Sequence, residues 1–208
     1  MKRFIALAAV MLFAVAMFAA DTNSTPADAE AKYTATIEGR TAEILKVLAL
    51  NDTGKTARVH DAIITQYRAL NAWHNHNDPQ LKAARGDTNA VAEIRSSLKA
   101  LHETFLSQLA ANLTPEQIEK VKDKMTYGKV QFTFAGYMAQ YPDLSEPNKN
   151  EILNLLKQAR EEAMDGGSAA EKTAVFQRYK GKINNYLSKQ GIQKPKSGAG
   201  TSSAPAQQ

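Results

Sequence analysis

The sequence predicts an all-α protein, a single helical-bundle domain of five to seven helices that follows a signal peptide. Apolar residues recur at spacings of three and four along most of the chain, as the half-buried face of a helix requires. Capping residues precede several of these segments, and glycine or proline residues follow them. The chain has no cysteine, which excludes a disulfide framework.

The first 20 residues have the layout of a secretory signal peptide. Lys2 and Arg3 precede an uncharged run over residues 4–20, and a polar segment follows. This run is just at the lower limit of about 17 residues for a membrane span. An uncleaved N-terminal anchor is therefore the alternative to cleavage. We therefore expect an exported protein, periplasmic or extracellular. Loss of Lys2 and Arg3 lowers the net charge from +5 to +3, which does not indicate specific nucleic-acid binding.

The helical domain is predicted over residues 33–190, after a flexible lead over residues 21–32. The first helix is expected over residues 33–50. Asn51 and Asp52 then cap a second helix. Its inward stripe consists of Val59, Ile63, Tyr67, Leu70 and Trp73.

Residues 74–88 contain Pro79 and Gly86 and are predicted to form a loop with a short helical turn. A third helix over residues 89–111 has the clearest amphipathic pattern in the chain. Its apolar positions are Val91, Ile94, Leu98, Leu101, Phe105 and Leu109.

The best helix start is at Thr114. Its hydroxyl can cap the helix, Pro115 suits the first helical position, and Gln117 completes a capping box. Residues 129–141 fit a strand or a helix, and we predict a helix because helical spacing accounts for more of the apolar residues.

Two further helices are predicted after Ser145 and after Ser168, where Glu171 supplies a second capping box. Gly166 and Gly167 end the first of these helices. Residues 191–208 lack an apolar period and are predicted to be a disordered tail.

Three separated motifs, EQIEKVKDKMTYG, REEAMDGGS and YKGKINNYLS, follow YRALNAWH and LHETFLSQL in the chain. Together they resemble the uncharacterised domain-of-unknown-function family 3826 of secreted bacterial proteins, over about residues 33–190. The resemblance implies a helical exported domain, and because the family has no established activity, no catalytic role is carried over to this chain. It is carried by Met125, Thr126, Tyr127, Gly128, Arg160, Met164, Asp165, Tyr179, Lys180, Gly181, Asn184, Asn185 and Tyr186. The chain departs from the family at Trp73, at His76 and in its tail.

A weaker resemblance is to periplasmic stress chaperones of the Spy type, whose signature is Leu-Thr-x-x-Gln. Leu113, Thr114 and Gln117 match it, but the second copy expected at Leu144 and Ser145 is incomplete. A capping box produces the same letters.

His74 and His76 are the candidate metal ligands, because neutral imidazoles bind metal ions. Residues two apart on a helix point in different directions, so both would converge only in a loop. A half-buried structural histidine at a helix end is the favoured interpretation of His74. No cofactor motif is present, and we expect no cofactor.

Glu161, Glu162 and Asp165 are candidate paired carboxylates for glycoside hydrolysis. Adjacent acids near a helix end more often form a solvated face, which is the favoured interpretation. We find no phosphate loop, nucleophile elbow or zinc-protease helix.

The last helix combines basic residues with tyrosines and asparagines, which is a pattern able to bind an anionic polysaccharide. The candidate ligand-binding residues are Tyr179, Lys180, Lys182, Asn184, Asn185 and Tyr186. The alternative is that Tyr179 and Tyr186, seven residues apart, belong to the core while the lysines face water.

These patterns favour an exported, non-catalytic binding protein, with an anionic polysaccharide or an envelope protein as its partner. A periplasmic chaperone is the first alternative, and it predicts an exposed apolar concave face. A glycan-active enzyme is the second, and it predicts a pocket in which Glu161, Asp165 or His74 converge with perturbed pKa values. The oligomeric state is not predicted.

Overall fold

The computed structural model describes residues 25–193. This part of the chain contains seven α-helices and no strand. The helices are α1 (Pro26–Leu48), α2 (Thr53–Ala83), α3 (Thr88–Ala110), α4 (Pro115–Met125), α5 (Lys129–Gln140), α6 (Glu146–Met164) and α7 (Ala169–Lys189). The all-α prediction is confirmed. The predicted signal peptide and most of the predicted tail lie outside the described residues.

The described residues divide into two units, with the boundary between Ala35 and Thr36. In the first unit the described part is the largely exposed beginning of α1. The second unit contains the rest of α1 and the helical bundle formed by α2 to α7, in agreement with one helical domain. No helix within residues 25–193 is long and apolar enough to cross a membrane.

Helix α1 begins at Pro26, seven residues before the predicted start, so residues 26–32 are not a lead without secondary structure. The backbone N–H of Asp28 donates to Thr25 Oγ1 over 3.2 Å, and the N–H of Thr25 donates to Asp28 Oδ2 over 2.9 Å. These reciprocal bonds cap the helix, and proline suits its first turn. The sequence prediction was wrong because the apolar period begins only near Ile37.

Helix α2 corrects the predicted loop over residues 74–88, since it runs without interruption to Ala83 with Pro79 inside it. Proline cannot donate to the carbonyl four residues earlier, at Asn75, but that residue is exposed and water can bond there. The side-chain amide of Asn77 donates to the carbonyl of Trp73 over 2.9 Å and reinforces the preceding turn. The connection to α3 is therefore only a short turn at Gly86, where φ is 103°.

The other helix boundaries agree with the predictions. The capping box at α4 is present, because the N–H of Gln117 donates to Thr114 Oγ1 and the N–H of Thr114 donates to Gln117 Oε1. Residues 129–140 form α5, which confirms the predicted helix over a strand. Gly128 joins α4 to α5 with φ at 62°, a value that glycine adopts without strain.

Helix α6 lies at the centre of the second half of the bundle, which consists of α4 to α7. It packs most extensively against α7 and less extensively against α5 and α4, while α2 packs against α3. The core of this half consists of Val130, Tyr137, Leu144, Ile152, Leu156, Ala159, Ala163, Val175, Phe176, Tyr179, Ile183 and Leu187. Small residues on α6, Ala159 and Ala163, allow α7 to approach closely.

A buried arginine connects α6 to α4. The Arg160 side chain is 4% exposed, its Nη1 donates to Asp123 Oδ1 over 2.7 Å, and its Nη2 donates to Glu119 Oε2 over 2.6 Å. Glu161 Oε1 lies 3.3 Å from the same Nη2. Since charge-assisted bonds of this length are the strong ones, Arg160 holds α4 on the bundle.

A buried lysine connects α7 to the end of α6. Lys172 Nζ donates to the carbonyls of Ala163 and Met164, each over 2.9 Å. These carbonyls belong to the last turn of α6 and lack partners within the helix. Burial lowers the pKa of Lys172 from 10.5 to about 8, against an opposing effect of Asp165.

We expect the stability of the protein to rise with pH above pH 8 because of Lys172. The cost of burying the ammonium is fully present below the folded pKa of about 8 and disappears above the unfolded value of 10.5. In that window the unfolded state binds more protons, so the wild type should gain about 2 kcal/mol between pH 7.5 and pH 10 relative to Lys172→Met. Urea denaturation at both pH values measures this, with the exposed Lys99→Met as control. Equal pH dependence in the wild type and Lys172→Met would contradict it.

Candidate functional site

A cleft of about 890 Å³ lies between α2, α3, α6 and α7. Two imidazoles and five carboxylates line it, namely His74, His102, Asp78, Glu161, Glu162, Asp165 and Glu171. Four basic side chains also reach it, namely Arg95, Lys99, Arg178 and Lys182. A concave site with convergent polar groups is the default location for ligand binding or chemistry.

His74 enters the cleft from α2, one position beyond the core residue Trp73. Its side chain is 14% exposed, and the Trp73 ring packs edge-on against it with the centroids 5.0 Å apart. Nε2 lies 2.7 Å from the backbone oxygen of Asp165. A carbonyl oxygen only accepts, so Nε2 carries a hydrogen and Nδ1 faces the carboxylates. Nδ1 lies 3.0 Å from Asp78 Oδ1 and 3.7 Å from Glu171 Oε2.

Gly167 makes room for the His74 ring. A Cβ at this position would lie 2.7 Å from both Cγ and Cδ2 of His74, closer than real side chains come. The second glycine of the pair after α6 therefore does more than end a helix. Its backbone N–H also donates to Glu171 Oε2 over 2.8 Å, which orients that carboxylate beside the ring.

His102 enters the cleft from α3 and pairs with the side chain of Asp165. Its Nδ1 donates to Asp165 Oδ1 over 2.9 Å, and its Nε2 lies 3.7 Å from Glu161 Oε2. The hydrogen bond to Asp165 raises the pKa of His102 despite partial burial, and the Glu161 charge adds to this effect. Glu161 Oε2 also accepts from Lys122 Nζ over 2.8 Å.

Asp165 therefore orients both imidazoles. Its backbone oxygen fixes His74, and its carboxylate fixes His102. The residue lies at the end of α6, where the last carbonyls have no partner within the helix.

The structure does not bring the two predicted metal ligands together. His76 is exposed on α2, whereas His74 lies nine residues before the helix end, not at the end itself. His74 instead groups with Asp78 and Glu171, whose candidate ligand atoms all lie within 4.8 Å of one another. Metal binding by His74 and His76 stays a prediction.

All three predicted carboxylates line the cleft, but each has a different environment. Arg160 and Lys122 bind Glu161, and Arg178 binds Glu162. The Asp165 side chain is 18% exposed and pairs with His102, so a solvated face does not describe it.

The six predicted residues of α7 do not share one surface. Tyr179 is buried, and the half-buried Tyr186 donates to Asn148 Oδ1 over 2.8 Å. Lys182 reaches the cleft, with its Nζ 3.8 Å from the Tyr179 ring centroid.

Lys180 and Asn184 line a second groove, of about 570 Å³, beside α5. There Asn184 Oδ1 accepts from the Tyr137 hydroxyl over 3.0 Å, while Asn185 is exposed on α7. Ligand contact by these six residues stays a prediction.

Sequence patterns did not identify His102 and Glu171 as site residues. No sequence motif distinguishes His102, and the pattern around Glu171 indicates only a helix cap. At the start of α7, the Glu171 carboxylate accepts from Gly167 N–H and from the Ser168 hydroxyl. The backbone N–H of Glu171 donates to Ser168 Oγ. A histidine and a capping acid next to apolar stripes are weak signals, because helices use both routinely.

Comparison with known proteins supplies a family and no activity. A model of the family described as "Protein of unknown function (DUF3826)" matches residues 34–199, which is most of the chain. This match confirms the resemblance to family 3826. No curated protein matches the chain. Similarity to the Spy-type proteins stays a prediction.

Proposed function

We propose that this chain, which belongs to the DUF3826 family of proteins of unknown function, is an exported protein that binds a carbohydrate in the cleft between α2, α3, α6 and α7. The observation that supports this is the convergence of two imidazoles, five carboxylates and four basic groups on one cleft. Sugar hydroxyls both donate and accept hydrogen bonds, so they suit a lining of mixed donors and acceptors.

The arrangement of the charges supports an oligosaccharide with neutral or acidic sugars. The Asp78 carboxylate, 48% exposed, keeps oxygen lone pairs available for hydroxyl groups. Arg178, 53% exposed, pairs with Glu162 through Nη2, and its other N–H groups can donate to a uronic acid. Export is supported by the N-terminal sequence pattern.

Isothermal titration of the full chain with neutral and uronic-acid oligosaccharides tests this proposal. We expect binding that weakens about tenfold or more in Asp165→Asn, because the amide no longer holds His102 as a carboxylate does. The exposed acid at the other end of α6 provides the control Glu146→Gln, which should bind like the wild type.

A second variant separates the cleft from the second groove. Lys180→Glu changes the groove beside α5 and leaves the cleft intact. Loss of binding in Lys180→Glu together with full binding in Asp165→Asn would overturn the cleft as the binding site and favour the α7 surface.

Catalysis on a glycan is a second candidate, favoured by the pairing of His102 with Asp165. A histidine whose Nδ1–H is held by a carboxylate presents Nε2 as a general base. The pKa of His102 is raised from its usual value of 6.5. His102 should therefore lose its proton, and become able to act as a base, only at a pH above 6.5. We expect His102→Gln to lower any glycan-cleaving rate by about 10²–10⁴-fold, measured as reducing ends or unsaturated products over pH 5–9. A rate that His102→Gln leaves unchanged would exclude this role.

The chaperone alternative requires a broad exposed apolar face. Within residues 25–193, the large apolar side chains that are exposed are Val47, Tyr127 and Phe132. Single exposed apolar residues are normal on soluble proteins, so these do not favour client binding.

A further inference from the structure

The wall of the cleft formed by α2 and the start of α7 presents one imidazole and two carboxylates to the same point. His74 Nδ1 lies 3.0 Å from Asp78 Oδ1 and 3.7 Å from Glu171 Oε2. Ligands bound about 2.0–2.2 Å from one zinc ion are roughly 3–3.6 Å apart. Small rotations of Asp78 and Glu171, each about half exposed, bring the three atoms into that range.

The hydrogen bond on the other side of the ring decides which nitrogen faces this point. Because Nε2–H donates to the Asp165 carbonyl, a neutral His74 has its lone pair on Nδ1, directed at the two carboxylates. In that form three electron-rich atoms face one another, and either a proton on Nδ1 or a bound cation can satisfy them. A backbone carbonyl that fixes the second nitrogen is also the usual support of a metal-bound histidine.

The surroundings hold the three side chains in place from outside the cluster. Gly167 permits the close approach of the His74 ring, and its N–H binds Glu171 Oε2. Asp78 is one helical turn after His74 on α2, so both project from the same face. The site thus combines one rigid imidazole with one oriented and one adjustable carboxylate.

We propose that His74, Asp78 and Glu171 bind a divalent transition-metal ion of the zinc or manganese class. An imidazole ligand favours these ions over calcium and magnesium, which prefer an all-oxygen set. Three protein ligands leave positions open toward the cleft, as in sites where a metal ion contacts a substrate. The inference goes beyond the carbohydrate proposal, because metal binding is measured without a carbohydrate.

The test uses the full chain without a polyhistidine tag, treated with EDTA, desalted and titrated calorimetrically with ZnCl₂, MnCl₂ and CaCl₂. We expect one equivalent of zinc or manganese to bind more tightly than calcium. The affinity should fall about 100-fold or more in His74→Ala and in Glu171→Gln. Glutamine keeps the oxygen that accepts from Gly167 N–H, and circular dichroism checks the fold of each variant.

Two matched variants complete the design. His76→Ala removes an exposed histidine from the same helix and should bind metal like the wild type. Gly167→Ala keeps all three ligands but displaces the His74 ring, so its affinity should fall as well. Absence of zinc and manganese binding would overturn the proposal, and so would binding that persists in His74→Ala or is weakened equally by His76→Ala.

Discussion

Replacement of Arg160 by methionine is expected to lower the free energy of unfolding by about 2–3 kcal/mol. The side chain is 4% exposed and donates to two carboxylates of α4, Asp123 and Glu119. Methionine fills most of the volume but removes the guanidinium from both carboxylates, and only Glu119 keeps a cation nearby, Lys122 at 3.7 Å. The bond from Lys122 to Glu161 still connects α4 to α6, so we expect the loss to loosen α4 without detaching it.

The loss of stability depends on the burial of Arg160. An exposed ion pair on the same helix, Lys149 with Glu146, provides the comparison. Lys149 pairs with Glu146 over 2.7 Å, but both side chains contact water, so Lys149→Met should change the stability by less than about 1 kcal/mol. Arg160→Lys should be intermediate, since one ammonium cannot reach both carboxylates as a guanidinium does. Urea denaturation followed at 222 nm measures all three variants. A cost of Arg160→Met below that of Lys149→Met would contradict the structural role.

Replacement of Phe176 by alanine is expected to cost about 3–5 kcal/mol. The ring is 2% exposed and belongs to the core cluster to which α5, α6 and α7 contribute. The backbones of packed helices shift little when one side chain is shortened, so a cavity should remain. Close packing makes such cavities costly beyond the transfer of the ring to water.

Phe132 provides the control of the same residue type. It lies on α5 with 80% of its surface exposed, so Phe132→Ala should change the stability by about 0.5 kcal/mol or less. Thermal and urea denaturation of both variants give the comparison. Similar losses at the two positions would mean that Phe132 contributes to a packed surface.

Local chemistry made most of the fold predictable. The caps at Thr114 and Ser168 and the apolar periods of α2, α3, α6 and α7 identified these helices, because each pattern reflects bonding and burial within a few residues. Two boundaries differ from the prediction, each for its own reason. A proline usually ends a helix, but Pro79 is exposed on α2, where water can replace the missing hydrogen bond. No apolar stripe directly follows the cap at Thr25, so the sequence pattern does not indicate that α1 begins there.

The site was only partly predictable, because its geometry depends on contacts between distant parts of the chain. His74 and Asp165, both candidate site residues in the sequence, are 91 residues apart along the chain. In the fold, His74 Nε2 lies 2.7 Å from the backbone oxygen of Asp165. His102 and Asp165 are 63 residues apart. Residue types indicate candidates one at a time, whereas the hydrogen bonds from α2 and α3 to the end of α6 show which of them meet.

The short turn between α6 and α7 has a consequence for how the family can vary in evolution. Three hydrogen bonds depend on residues 163–172. Lys172 Nζ donates to the carbonyl of Ala163, and Gly167 N–H donates to Glu171. The third joins His74 to the backbone oxygen of Asp165. One inserted or deleted residue would shift all three contacts at once. We expect related chains to keep the length of this turn constant even where their side chains differ, and to place insertions elsewhere.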